Sequence, residues 1–315
     1  MQHKVRIFSG SSNPQLAESM CEKLGAELGS ITLSRFKSGE IYVNYEESIR
    51  NCDVFIVQSL SHPINELFVE LLVMIDAAKR ASARTINIVV PYYGYARQER
   101  KSAPREPISA KMVADVLTTA GANRVITMDL HAPAIQGFFN IPVDHLTALD
   151  LISDYLKSLK LENPVIVSPD AGRAKTAEKL ANRLDSPFAI MFKKRPAHNE
   201  SVVTHVIGDV EGRTPVIIED IIDTGSTIVN VVDSLKERGA KQAIVCATHG
   251  LFSGNALERL SHSHIREIVV TDSIAIQEGQ HERLTVLNVA PTLSAAVRII
   301  MEGGSLATMF KDAGV

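Results

Sequence analysis

The run Val216-Ile217-Ile218-Glu219-Asp220-Ile221-Ile222-Asp223-Thr224-Gly225-Ser226-Thr227 ends an apolar strand in two adjacent carboxylates and follows them with a small-residue turn. Backbone N–H groups in such a turn, at the start of a helix, form a site suited to phosphate. The hydroxyls of Thr224, Ser226 and Thr227 add donors. Glu219, Asp220 and Asp223 repel an anion, so they suit the hydroxyls of a sugar or a magnesium ion. A site that takes phosphate at one end and a diol at the other describes a pocket for a ribose 5-phosphate. Taken alone, the same run also reads as an acidic helix cap.

Four further clusters carry chemistry less specifically. Between Arg97 and Arg105 stand four cations, Arg97, Arg100, Lys101 and Arg105, against Glu99. Neither GxxxxGK[ST] nor GxGxxG occurs, so a nucleotide would have to be held without those loops. Alone, Arg97–Arg105 reads as a solvated loop, and Ser34-Arg35-Phe36-Lys37-Ser38-Gly39-Glu40 as a hairpin turn. His131 follows a strand-like run, a place where histidine is usually structural. Lys193-Lys194-Arg195 after the strand Pro187–Phe192 reads as a surface turn.

The elements that must position these residues alternate. Strands are expected at Val5–Ser9, Asp53–Gln58, Thr85–Pro91, Arg124–Leu130, Pro164–Ser168, Pro187–Phe192, Thr214–Glu219, Gln242–Thr248, Glu267–Thr271 and Leu284–Asn288. Several are apolar throughout, as strands covered on both faces are. Helices are signalled by Asn13-Pro14 and Glu106-Pro107, each placing proline at the first helical position. Ile108, Met112, Val116 and Ala120 make one apolar stripe, and Ile228, Val231, Val232 and Leu235 another, stopped by Gly239. Leu67–Ala78 is apolar almost all round and is expected to be deeply buried. Strand and helix in alternation mean an α/β fold with mainly parallel sheets.

The chain has 315 residues, 45% hydrophobic and 22% charged, with a formal net charge of −3. That length suits two α/β domains, divided near His145–Asp150 before a helix at Leu149–Leu159. The composition excludes a disordered chain, a coiled coil and a fibrous repeat. No stretch approaches 18 uncharged apolar residues, which excludes a membrane-spanning helix, and the slightly acidic balance argues against a general nucleic-acid or acidic-membrane binder. The first residues run into a strand without an apolar signal region. Cys21, Cys52 and Cys246 have no metal-binding spacing and fit a reduced, cytoplasmic setting. Ile88–Ala96 and Ile166–Ala174 echo one another, by duplication or by shared strand-turn grammar.

The acidic run resembles the phosphoribosyl-binding motif of type I phosphoribosyltransferases. Tyr95–Lys101, Met128–Ala132, Gln136–Phe139 and Ser168–Gly172 occur in the order seen in the ribose-phosphate diphosphokinase (phosphoribosyl pyrophosphate synthetase) family. The resemblance covers essentially the whole chain. It implies two phosphoribosyltransferase-type domains, residues 1–147 and 148–299, with a tail of residues 300–315 packing back on the first. It implies transfer of a diphosphoryl group from Mg-ATP to the 1-hydroxyl of ribose 5-phosphate, giving AMP. The alternatives are a type I phosphoribosyltransferase and a non-catalytic regulatory subunit of the synthetase.

Residue by residue, the resemblance implies that Phe36, Ser38, Gly39, Glu40, Arg97, Gln98 and His131 bind ATP, with Phe36 stacking on the adenine and Glu40 accepting from its amine. Asp170, Ala171 and Gly172 form a pyrophosphate loop, and His131 and Asp170 contact the metal. Lys193 and Arg195 close over the reacting phosphates from a flexible loop. Arg195 joins Glu219, Asp220, Asp223, Thr224, Gly225, Ser226 and Thr227 around ribose 5-phosphate. Phosphate activation and ADP inhibition map near Arg50, Gln136, Asp144, Ser305 and Phe310, at a subunit interface, and a neighbouring subunit completes the adenine pocket within dimers that build a homohexamer. The sequence departs from the family at Ser38, often Asp or Asn; at Glu219, usually Asp; and at Pro133 and Ala307, often serine. Arg173 stands where a second glycine is common, and either adds phosphate affinity or crowds the loop.

Overall fold

The computed structural model describes residues 4–197, 200–261, 264–276, 279 and 281–309, leaving aside the side chains at 193–197, 200–204 and 308. The chain forms two compact units. One comprises Met1–Thr147, Ser273–Ala275 and Asn288–Met309, and the other Ala148–Asp272 and Ile276–Leu287.

In the first unit the chain runs β1 (Val5–Ser9), α1 (Pro14–Leu24), β2 (Ile31–Arg35), β3 (Ile41–Tyr45), β4 (Asp53–Val57), α2 (Ile64–Arg80), β5 (Thr85–Val90), α3 (Ser109–Ala120), β6 (Arg124–Met128) and β7 (Val143–Leu146). The main sheet has the order β1-β4-β5-β6-β7, every neighbouring pair parallel. β2 and β3 make a separate antiparallel hairpin. Val54, Phe55, Ile56 and Val57 are all buried, which is why β4 is apolar without alternation. At the start of α1 the Asn13 side chain accepts from the Leu16 N–H, and Pro14 opens the helix.

Two helices depart from the expected pattern. α3 starts at Ser109 rather than at Pro107, and the Glu106 carboxylate instead accepts from the N–H groups of Ser102 and Ala103. Its buried stripe is Ala110, Val113, Ala114 and Leu117, whereas Ile108 and Met112 are exposed. A strict spacing of four drifts around a 3.6-residue helix; the spacing i, i+3, i+4, i+7 stays on one face. α2 likewise buries Leu67, Leu71, Met74, Ile75 and Ala78 on one side and leaves Val69 exposed.

The second unit runs α4 (Leu149–Ser158), β8 (Pro164–Ser168), α5 (Ala174–Arg183), β9 (Phe188–Ala197), β10 (Glu200–Ile207), β11 (Thr214–Ile222), α6 (Ser226–Glu237), β12 (Ala243–Gly250), α7 (Ala256–Leu260), β13 (Ile265–Thr271) and β14 (Leu284–Leu287). Its sheet has the order β10-β9-β8-β11-β12-β13-β14. All pairs are parallel except β9 with β10 at one edge. The stripe Ile228, Val231, Val232 and Leu235 of α6 packs on Val165, Val167, Ile217 and Val245 in one core cluster. Burying each such side chain contributes about 1.5–3 kcal/mol.

α8 (Ala290–Met301) belongs to the first unit, so the chain returns there at Asn288 rather than at residue 300. The Ser294 hydroxyl donates to Met20 O at 3.2 Å and the Arg298 guanidinium to Lys23 O at 2.6 Å, tying α8 to α1. All three cysteines are free and buried; burial pushes the Cys21 thiol up to about 11 and raises Cys246 further. Among the described residues no helix is long and apolar enough to cross a membrane.

Candidate active site

Ligands of parallel sheets bind outside the carboxyl ends of the strands. In the second unit β8 and β11 are neighbours, so the loops that follow them emerge at one end of the sheet. β8 pairs with β11 from Thr214 to Ile217 and then stops at Ser168, while β11 continues to Ile222. Glu219 and Asp220 therefore lie on the part of β11 that β8 no longer covers. Asp220 is buried at 7% exposure, and Glu219 is half-buried.

Asp223 and Thr224 then lead to Gly225, whose φ of 74° is left-handed, and α6 begins at Ser226. A Cβ at Gly225 would also stand 3.0 Å from the Leu260 side chain, so conformation and space both require glycine. The N-cap position of α6 is Gly225, which has no side chain to cap the helix. Thr224, Ser226 and Thr227 are exposed around that helix start, with the hydroxyls of Thr224 and Ser226 3.3 Å apart. Backbone donors and hydroxyls thus surround the expected phosphate position.

Asp170 occupies the neighbouring strand end. Its Oδ1 accepts from the N–H groups of Gly172 (2.9 Å) and Arg173 (3.3 Å), which folds Ala171–Arg173 into a 3-10 turn. One carboxylate oxygen shapes the turn, so the other is the oxygen suited to a hard cation. Among the described residues no group of three His, Cys, Asp or Glu side chains is placed to hold a metal.

Lys193 and Arg195 lie on β9 rather than on a loop after Phe192. β9 pairs with β8 as far as Ile190 opposite Ser168, then continues to Ala197 by pairing with β10, Lys193 opposite Val203. Charge and Pro196 hid this strand in the sequence. An edge ladder with register shifts tolerates both, and β10 is rich in β-branched residues. Lys193 is three residues past Ile190, roughly 10 Å beyond the end of β8 at the rise of a strand. The Lys193 and Arg195 side chains lie outside the described residues.

Two arginines make contacts here that sequence reasoning did not assign. Arg173 Nη2 is 2.5 Å from Asp220 Oδ2 and its Nε 3.8 Å from Glu219 Oε2. Arg259, on α7, donates through Nη1 to Thr224 O (2.5 Å) and to the Ser226 hydroxyl (2.9 Å). No local signal marks Arg259; tertiary packing alone brings it to the turn. Replacing it by alanine should raise KM for ribose 5-phosphate, the substrate that the resemblance implies, about tenfold, the equivalent of about 1.4 kcal/mol, with kcat within a few-fold. An unchanged KM in steady-state assays would make Arg259 a surface residue.

The first unit carries the residues expected around a nucleotide. Phe36 opens the β2–β3 turn at 56% exposure, edge-on to Tyr42 at 5.6 Å between ring centres. The turn is closed by Phe36 N–H to Glu40 O and Gly39 N–H to Phe36 O, and the Ser38 hydroxyl donates to the Glu40 carboxylate at 2.6 Å. Arg97 and Gln98 are exposed in the loop after β5. The Gln98 side-chain oxygen accepts from the Ser109 hydroxyl at 2.7 Å, fixing it at the start of α3. Gly94 lets this loop pass close to its neighbours: a Cβ there would meet Leu60 O at 2.6 Å.

His131 is half-buried after β6, a strand that ends at Met128 rather than Leu130. Asp129 there has a φ of 36°. His145 Nε2 accepts from the Leu130 N–H at 2.8 Å, as a neutral imidazole does, and burial holds its pKa below the usual histidine value.

The residues expected at a regulatory site fall at different places. Arg50, before β4, donates to Ser82 Oγ at 3.2 Å, and Asp144 pairs with Arg124 at 2.6 Å near the start of β6. Both therefore lie toward the amino ends of their strands, away from Arg97 and His131. Gln136 Nε2 donates to Pro133 O and lies 3.2 Å from His145 Nδ1. The Ser305 hydroxyl accepts from Ala307 N–H, and Phe310 lies outside the described residues.

Comparison with known proteins places this geometry. A model described as the N-terminal domain of ribose phosphate pyrophosphokinase matches residues 5–121, and one described as a phosphoribosyl synthetase-associated domain matches residues 197–311. A ribose-phosphate pyrophosphokinase from Bacillus caldolyticus is 52% identical over 98% of each chain, and one from Bacillus subtilis (strain 168) is 50% identical over 97% of each. The crystal structure of phosphoribosylpyrophosphate synthetase from Mycobacterium smegmatis matches with a TM-score of 0.90 at 43% identity, covering 96% of this chain and 100% of that one. Identity of this order from end to end means that the chain belongs to the ribose-phosphate pyrophosphokinase family.

Proposed function

We propose that this protein transfers the β,γ-diphosphoryl group of ATP to the 1-hydroxyl of ribose 5-phosphate, giving 5-phosphoribosyl 1-diphosphate and AMP for nucleotide biosynthesis. The observation that carries the reading is the acid pair on β11 running through a glycine turn into the start of α6, beside the Asp170 turn. Thr224, Gly225, Ser226 and Thr227 hold the 5-phosphate, and Glu219, Asp220 and Asp223 accept from the sugar hydroxyls. The 1-hydroxyl oxygen attacks the β-phosphorus, the bond from that phosphorus to the oxygen of AMP breaks, and the hydroxyl proton leaves to solvent.

Phe36, Ser38, Gly39 and Glu40 take the adenine, and Arg97, Gln98 and His131 take the phosphate chain. Lys193 and Arg195 neutralise charge on the transferring group, in a reaction that depends mainly on positioning and electrostatics. When bound, magnesium would supply positive charge that offsets the phosphates. Asp170 and His131 are the residues that would contact it, Asp170 through a carboxylate oxygen of the kind a hard cation prefers. The active form is a homohexamer built from dimers in the cytoplasm, with inorganic phosphate as an activator acting around Arg50, Gln136, Asp144, Ser305 and Phe310.

Purified protein incubated with ATP, magnesium and ribose 5-phosphate should release AMP in step with phosphoribosyl diphosphate, and chelation should stop both. Release of ADP would mean γ-phosphoryl transfer and would overturn the proposal.

A further inference from the structure

Arg173 stands at the end of the turn shaped by Asp170 and reaches the two acids of β11. Its Nη2 lies 2.5 Å from Asp220 Oδ2 and its Nε 3.8 Å from Glu219 Oε2. All three side chains are largely shielded, at 17% exposure for Arg173, 11% for Glu219 and 7% for Asp220. The fold explains how one cation meets both acids. Successive side chains of a strand point to opposite faces, so a group lying over one face would meet one of them. β8 stops pairing at Ile217 of β11, and the chain leaving β8 returns as the Ala171–Arg173 turn beside the uncovered part of β11. The planar, forked guanidinium fits that edge position in a way a point charge does not.

We propose that Arg173 is a positioning residue for ribose 5-phosphate: it holds Glu219 and Asp220 together as a pair of sugar acceptors and ties the Asp170–Arg173 turn to them. The proposal rests on the functional reading above. Two adjacent carboxylates in a shielded place repel each other, and each avoids ionisation unless a cation stands near. Arg173 supplies that cation from within the fold, so the acids are held in place before any sugar arrives. The turn that provides Arg173 is also the turn expected at the diphosphoryl group. One side chain therefore fixes the distance between the sugar site and the phosphate-transfer site. In this fold Arg173 faces the two acids.

The test is calorimetric titration of the full-length protein with ribose 5-phosphate alone, and separately with a non-hydrolysable ATP analogue, for the parent, Arg173→Ala and Arg173→Lys. Ribose 5-phosphate affinity should fall about 10- to 100-fold in Arg173→Ala, the scale for losing a group that orients ligand-binding side chains. The affinity for the ATP analogue should stay within about threefold. Arg173→Lys should recover part of the loss, because it returns the charge without the fork. Adding methylguanidinium should strengthen ribose 5-phosphate binding to Arg173→Ala and leave the parent unchanged. Parental sugar affinity in Arg173→Ala overturns the proposal, as does an equal loss for both ligands with a lowered melting temperature. If Arg173→Ala does not fold, Arg173→Lys decides: weakened sugar binding at the parental melting temperature supports the proposal, and parental binding overturns it. A parent that binds ribose 5-phosphate yet makes no AMP defeats the proposed reaction and leaves the role of Arg173 measurable.

Discussion

Replacing Lys193 by alanine should lower kcat by about 100- to 1000-fold, or about 2.7–4 kcal/mol, the scale for one donor that stabilises charge in a transition state. KM for ATP and for ribose 5-phosphate should move little. A contact made as the reacting phosphates reorganise contributes to kcat, whereas a contact already present with bound substrate contributes to KM. The fold supports this assignment through where β9 goes. It stops pairing with β8 at Ile190 and, after the buried Met191, continues past the strand end that carries the Asp170 turn, with β10 as its remaining ladder partner. A two-stranded arm at a sheet edge has few neighbours to hold it, which suits a segment that closes on bound substrates. Steady-state kinetics at saturating ATP and ribose 5-phosphate decide the matter. A kcat within a few-fold of the parent would make Lys193 a solvated lysine on an edge strand.

How much of this could be read in the sequence depends on the range of the interaction involved. β4, β8, β11 and β12 were legible because strands covered on both faces are apolar without interruption. The ribose-phosphate run was legible for a related reason. Strand, acids, glycine turn and helix start are contiguous, so one stretch of chain contains most of the site. β7 and β10 were missed. Val143-Asp144-His145-Leu146 is short and half polar, and the end of β9 that pairs with β10 is interrupted by cations and a proline. The buried face of α3 was misplaced because Ile108 and Met112 are apolar and yet exposed, so composition did not distinguish the two sides. The contact of Arg173 with the β11 acids, and Arg259 altogether, were invisible for a different reason. Their partners lie far along the chain, and no spacing rule connects a 3-10 turn after β8 or a short helix after β12 to the turn after β11.

Mixing two inactive variants, one changed at Glu40 and one at Lys193, should return about a quarter of the parent activity. The two positions lie in different units, Glu40 on the β2–β3 hairpin and Lys193 on β9. Phe36 beside Glu40 presents an exposed ring, and an aromatic ring left facing solvent holds a base weakly until a second surface covers the other face of that base. In the proposed assembly that surface comes from a neighbouring copy of the chain, so each active site draws its adenine hairpin from one subunit and its β9 arm from the other. In a dimer with two-fold symmetry each mixed pair then contains one site with both defects and one with neither. Free exchange of subunits makes about half the pairs mixed, and half the sites in those pairs are intact, which gives about a quarter. The measurement is AMP release after the variants are mixed under conditions that exchange subunits, with exchange followed by mass-tagged chains. Either variant alone stays nearly inactive at every concentration. No recovery after demonstrated exchange, or full activity from a monomeric parent, would mean that each chain completes its own ATP site. Recovery well above a quarter would mean that mixed pairs form in preference to pure ones, which free exchange between otherwise identical subunits does not produce.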